Sequence, residues 1–132
     1  MLAPELLTQT VYASSGMELE ECKAADVYAF AITLWEILHR NIPWAGNSRE
    51  EIRQYVVAGH RPLTAEKYQA VLTTDDTKLV FIRELIAECW HMDPSSRLDF
   101  RSILKQLKTV MEQQVDYTNQ KLNQINTNIS NE

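Results

Sequence analysis

Glycine is nearly absent from this chain of 132 residues: there are three, Gly16, Gly46 and Gly59. A loop that cradles phosphate with its own backbone needs glycines close together, so three scattered ones exclude it. Cysteine is as scarce. Cys22 and Cys89 stand far apart with no second cysteine at metal-ligand spacing, which excludes a disulfide framework and a zinc knuckle. Such a pair predicts reduced thiols in an intracellular, cytoplasmic protein. Positive charge is in deficit, with 13 Lys and Arg against 18 Asp and Glu and a net charge of −5. That balance gives no electrostatic footprint for nucleic acid or an anionic membrane, and neither is expected as a partner. The first residues, Met1-Leu2-Ala3-Pro4-Glu5, lack a basic region followed by an apolar segment, so no secretion signal is expected. Strand-type alternation and internal repeats are missing too, which leaves helices.

What the chain does have is apolar content, 45% against 23% charged, enough for one globular unit of ordinary size. Its densest stretch runs from Ala24 to His39, interrupted only by Asp26, Thr33, Glu36 and the closing His39. Val27, Phe30, Ala31, Leu34 and Leu38 cover one side of a helix here, and Tyr28, Ile32 and Trp35 much of the other. A surface helix shows an apolar stripe and a polar back, so this pattern predicts a buried central helix with almost no wet face. At about 24 Å for 16 residues, and with Asp26 and Glu36 inside it, it is too short and too polar to cross a bilayer.

Around that helix, Pro4 and Glu5 suit the start of a short helix over residues 3–9. Thr10 to Glu21, with Ser14-Ser15-Gly16, reads as an exposed loop. Ser48 and Glu51 form a capping box for a helix through Val57, with Gly59 as its stop. Residues 61–78, with Pro62 and Thr73-Thr74-Asp75-Asp76, read as a long connection with room for a short helical turn. Leu79, Ile82, Leu85, Ile86, Cys89 and Trp90 are spaced as a half-buried helix that Asp93-Pro94 ends. Phe100, Ile103, Leu104, Leu107, Val110 and Met111 mark one face of a last helix, with Asp99 placed to cap it. From Gln113 the composition turns to Asn, Gln and Thr. Val115, Leu122 and Ile129 recur every seven residues over fewer than three heptads, so residues 112–132 read as a polar tail, a frayed helix or disorder, with a coiled-coil extension as the alternative.

Three stretches in this order resemble the C-terminal half of the large lobe of a protein kinase. Leu2-Ala3-Pro4-Glu5 matches the Ala-Pro-Glu motif that closes the activation segment. Asp26-Val27-Tyr28-Ala29-Phe30-Ala31, continuing through Leu34-Trp35-Glu36 to Ile42-Pro43-Trp44, is similar to the central helix of that lobe and its following turn. Cys89-Trp90-His91-Met92-Asp93-Pro94-Ser95-Ser96-Arg97-Leu98-Asp99-Phe100 looks like the last loop and the start of the final helix. The Leu-Trp-Glu and Cys-Trp wording leans towards the tyrosine-kinase and tyrosine-kinase-like branches. Departures from the family pattern are Ala29 for a common Ser, Ala31 for a common Gly, Leu98 for a common Pro, and a longer loop between Glu5 and Asp26. The resemblance implies an all-α fold, the helical C-terminal part of the kinase large lobe, with the central helix wrapped by three or four others. Its limits are residues 1–111 for the partial kinase domain and 112–132 for the tail.

The resemblance also implies a buried ion pair between Glu5 and Arg97. The sequence gives its own reason: Arg97 lies just ahead of a helix, where a cation meets the positive end of the dipole, so it needs an anion from elsewhere. The alternative is two solvated surface charges. For Asp26 the resemblance implies a carboxylate that accepts backbone amides of the catalytic loop. The alternative is a first-turn acid that favours the helix dipole. Trp35, Trp44 and Trp90 read as core, and His39, His60 and His91 have no neighbours at ligand spacing. Tyr12, Thr8 and Ser14 sit in or beside an exposed loop open to phosphate, with nothing in their context that selects them.

The parts that transfer phosphate are not in these residues: no Val-Ala-Ile-Lys strand, no His-Arg-Asp loop with its downstream Asn, and no Asp-Phe-Gly. No catalytic, cofactor-binding or metal-ligating residue is therefore expected in this chain. ATP and magnesium are implied for the complete kinase, along with two partners, the upstream part of the domain and protein substrates. A non-catalytic helical remnant acting as an interaction module is the competing class.

Overall fold

A computed structural model describes residues 2–8, 19–62 and 77–130, and the segments between them are outside the description. Outside it, too, lie the Ser14-Ser15-Gly16 loop, Tyr12, and most of the long connection that ends at Lys78. Every regular element among the described residues is helical: α1 (Pro4–Thr8), α2 (Leu19–His39), α3 (Arg49–Val57), α4 (Thr77–Cys89) and α5 (Phe100–Ser130), with one 3₁₀ turn at Pro94–Ser96. The chain divides into two compact units, 1–99 and 100–132.

In the first unit α2 is the longest element, and it starts five residues before the Ala24 at which the apolar run begins. Residues 19–21, read from composition as loop, are its first turn. Glu20 and Glu21 favour the positive end of the helix dipole there, and Glu20 pairs with Lys23 at 2.6 Å. Ala25, Val27, Tyr28, Ala31, Ile32, Trp35 and His39 are buried. The helix is not dry all round, however. Asp26, Thr33, Glu36 and Ile37 are exposed, Ile37 by 67%. The interruptions in the apolar run lie seven and ten residues apart, close to two and three helical turns, so they fall on one stripe instead of dotting the circumference.

Helix α3 is defined by its ends. Ser48 Oγ accepts from the Glu51 amide at 3.3 Å while the Glu51 carboxylate accepts from the Ser48 amide at 2.7 Å, a reciprocal capping box. Those hydrogen bonds to Ser48 hold the exposed Glu51 carboxyl below its ordinary range. At the other end Gly59 takes φ +87°, its amide donates to the Val56 carbonyl at 3.1 Å, and the His60 amide reaches back to Tyr55 at 2.8 Å. This is the paired-bond C-terminal motif that favours glycine at the left-handed position.

The elements pack as α1 on α3 and α2 on α4, with the 3₁₀ turn also against α2. One buried cluster joins Ala3, Ala25, Tyr28, Ile32 and Val56, flanked by Leu6, Leu7, Trp44, Ile52 and Trp90. Helix α4 buries Leu85, Ile86 and Cys89, which are positions i, i+1 and i+4 of one face.

Helix α5 forms the second unit. It runs unbroken for 31 residues, so helical geometry continues through 112–130, where composition suggests fraying or disorder. No glycine or proline occurs in it, and Thr109, Thr118 and Thr127 turn their hydroxyls onto the carbonyls four residues back. The second compact unit begins at Phe100.

Candidate functional site

The site forms at the 3₁₀ turn, whose sequence fixes its shape. Asp93 caps it: its carboxylate accepts from the Ser95 amide at 2.9 Å, the Ser95 hydroxyl at 2.8 Å and the Ser96 hydroxyl at 3.2 Å. These bonds, those from Ser95 foremost, hold the Asp93 carboxyl below the usual carboxylate range. Pro94 supplies the preset φ of the first helical position. The turn then closes with the Arg97 amide on the Pro94 carbonyl at 3.2 Å, and the Arg97 side chain is wholly excluded from solvent.

Every N–H of that guanidinium has an acceptor. Nη1 donates to Glu5 Oε1 at 2.7 Å and to the Ala24 carbonyl at 2.9 Å. Nη2 donates to Glu5 Oε2 at 2.8 Å and, more weakly, to the Met92 carbonyl at 3.4 Å. Nε donates to the His91 carbonyl at 2.8 Å. The two parallel bonds to Glu5 have the forked geometry in which guanidinium and carboxylate match. A buried cation with all five donors engaged ties α1, α2 and the loop after α4 to one point.

Tyr28 and Arg61 complete the cluster. Tyr28 is fully buried, and the Arg97 and Arg61 guanidiniums lie 5.2 and 5.3 Å from its ring centre. Both distances are within cation–π range. Burial pushes the phenol up, the two guanidiniums pull it down by less, and Glu5 adds to the rise. Its hydroxyl has no hydrogen-bond partner among the described residues. Arg61 donates from Nε to the Trp90 carbonyl at 3.0 Å, from Nη2 to the same oxygen, and from Nη1 to the His60 carbonyl at 2.9 Å. Neither Tyr28 nor Arg61 is singled out by local sequence. Arg61 lies in a stretch that reads as loop, and its contact with Trp90 spans 29 positions.

Asp26 is elsewhere. It lies seven residues past Leu19, on the exposed stripe of α2, too deep in the helix to be a first-turn acid. Trp35 is buried, and its ring stacks on His39 at 4.3 Å, while Trp44 and Trp90 are half-buried. The His39 Nδ1 donates to the Trp35 carbonyl at 2.8 Å. Thr8 donates its hydroxyl to the Glu5 carbonyl at 3.0 Å. Among the described residues no three His, Cys, Asp or Glu side chains converge on a point that could hold a metal, and no helix is long and apolar enough to cross a membrane.

An ion pair that links the third residue of an Ala-Pro-Glu triplet to an arginine beyond a Cys-Trp-x-x-Asp-Pro run is the geometry to set beside known sequences. The family model "Protein tyrosine and serine/threonine kinase" matches residues 2–107. The chain belongs to the protein kinase family. Among curated relatives, the serine/threonine-protein kinase VIK of Arabidopsis thaliana is 37% identical over 90 residues, 68% of this chain and 18% of that one. Guanylate cyclase 32E of Drosophila melanogaster is 33% identical over 110 residues, 81% of this chain and 9% of that one. Tyrosine-protein kinase receptor TYRO3 of Gallus gallus is 32% identical over 87 residues, 65% of this chain and 9% of that one. The chain thus spans less than a fifth of the length of these relatives, and what it holds is a fragment of a kinase domain.

Family membership implies ATP and magnesium for a complete kinase domain. The residues described here do not fit that role. Gly46 and Gly59 occupy separate turns with positive φ, and the carboxylate nearest the cluster, Glu5, is already committed to Arg97. No step of phosphoryl transfer is assigned to this chain. What the described residues show is a saturated cation that pins three segments together.

Proposed function

We propose that this chain is the structural half of a kinase large lobe, and that the complete protein transfers the γ-phosphoryl group of MgATP to hydroxyls of protein substrates. The observation that carries the reading is Arg97. Its five bonds fasten α1, which follows directly on the segment that the resemblance implies for substrate, to the central helix and the loop after α4, which is what a lobe needs if that segment is to present substrate in a fixed place. Asp26 is the proposed support for the absent catalytic loop. Its carboxylate lies on the exposed stripe of α2 with Thr33 and Ile37, and an upstream part of the domain that covered this stripe would bring backbone amides to Asp26 and bury Ile37.

The branch of the family is part of this proposal. Leu34-Trp35-Glu36 and Cys89-Trp90 favour the tyrosine-kinase and tyrosine-kinase-like branches, and relatives named for serine/threonine and for tyrosine kinases both match. A cytoplasmic location for this part of the protein rests on the reduced state expected of Cys22 and Cys89, both free thiols here.

The test is the transcript that contains this reading frame. An in-frame His-Arg-Asp followed by Asp-Phe-Gly upstream of Met1 is the expected result. A stop codon immediately before Met1 would overturn the enzymatic reading. The purified chain alone is expected to leave ATP unhydrolysed.

A further inference from the structure

Helix α5 carries an exposed apolar seam. Met111, Val115, Leu122, Ile125 and Ile129 are each more than half exposed, and with Thr118 they fall at alternating steps of four and three residues. That spacing averages 3.5, the period at which two helices wrap around each other in a left-handed supercoil and keep one seam in contact. Of the positions between them that face away, Gln113, Asp116, Gln120, Asn123 and Thr127 are polar, and Tyr117 adds an exposed ring outside the seam. From the structure we infer that α5 pairs in parallel, in register, with α5 of a second copy of this chain.

Three observations select that occupant. First, the seam is self-complementary in pattern: Val115, Leu122 and Ile129 occupy one core position of successive heptads and Met111, Thr118 and Ile125 the other, so a parallel in-register pair sets each core residue opposite its own copy. Second, the one polar residue in the seam is already satisfied. Thr118 donates to the Gln114 backbone carbonyl at 2.9 Å and accepts from the Gln114 side-chain Nε2 at 3.4 Å, so burial against a partner leaves no hydroxyl unpaired. Third, the flanking charges choose the direction. In a parallel pair Lys121 faces Asn126 of the other copy and Gln114 faces Asn119, with no like charges opposed. An antiparallel pair that overlaps all six core layers sets Lys121 against Lys121.

The full chain is therefore expected to sediment as a concentration-dependent dimer. Leu122→Asp is expected to weaken self-association at least tenfold, and Gln120→Asp, on the outward face, to leave it unchanged. In a Cys22→Ser background, Leu122→Cys is expected to form a disulfide-linked dimer on mild oxidation, because a parallel in-register pair sets that position opposite itself. A helix that melts in Leu122→Asp would show in circular dichroism, and Ile125→Gln then serves as the milder seam variant. A chain that stays monomeric at tens of micromolar would overturn the inference. Self-association that survives Leu122→Asp and Ile125→Gln would also overturn it, by assigning contact to the first unit. A dimer in which Leu122→Cys does not cross-link would contradict the parallel register.

Discussion

Arg97 holds its guanidinium carbon 5.2 Å from the centre of the Tyr28 ring, and the phenol beside it is buried with no partner for its hydroxyl among the described residues. The ring and the hydroxyl therefore make opposite contributions. Tyr28→Phe keeps the ring over both cations and removes an unsatisfied group whose burial costs about 1–3 kcal/mol, so it is expected to leave stability unchanged or raise it. Tyr28→Ala removes the ring and is expected to lose about 3–5 kcal/mol. Urea unfolding of the two variants checks this, and a destabilised Tyr28→Phe would mean that the hydroxyl is bonded after all.

The Arg97 cluster separates charge from shape. Lysine keeps the positive charge but offers three donors from one point instead of five in a planar fork. Arg97→Ala leaves the Glu5 carboxylate, only 20% exposed, without its cation, and is expected to cost about 3–5 kcal/mol. Arg97→Lys is expected to recover less than half of that. Equal stability of the lysine variant and the parent would show that charge alone holds the three segments.

Cys89 gives a pH prediction. Burial, with a smaller push from Glu88, raises its thiol to about 11, whereas an unfolded cysteine titrates near roughly 8.5. The folded chain holds this proton more tightly than the unfolded one, so the contribution is intact below the unfolded value and is lost as pH rises from there towards 11. At pH 8 a thiol-specific reagent is expected to modify the half-buried Cys22 promptly and Cys89 only as the chain unfolds. Prompt reaction of both thiols in the folded chain would contradict the packing of α4.

Gly59 isolates a backbone effect. A Cβ added there meets nothing within 4 Å, yet φ is +87°, so Gly59→Ala is expected to destabilise by about 1–2 kcal/mol through conformation alone. Gly59→Asn is expected to lose less, since asparagine tolerates the left-handed region. A neutral Gly59→Ala in thermal melting would show that α3 can end some other way.

Local chemistry made α3 legible in full, because Ser48, Glu51 and Gly59 act on their own neighbours. Arg97 draws attention for a related reason: a cation ahead of a helix start gains nothing from the helix dipole. Tyr28 and Arg61 were not, since both owe their place to contacts across 29 or more positions that no nearby residue announces. The start of α2 lies ahead of its apolar run because first-turn acids and the Glu20–Lys23 pair favour helix over Leu19 to Lys23. Composition conceals the exposed stripe of α2, since 16 mostly apolar residues hide the alignment of Asp26, Thr33 and Glu36. In α5 the helix continues past Gln113 although composition turns polar there, and no helix breaker interrupts its 31 residues.

The central claim is that Glu5 and Arg97, 92 positions apart, act as one fastening for the first unit. A double-mutant cycle with Glu5→Gln, Arg97→Met and the pair, read by urea unfolding, measures it directly. The account predicts a coupling of about 2 kcal/mol or more, with the double variant more stable than the two single losses would sum to. Additive losses, with coupling near zero, would contradict it.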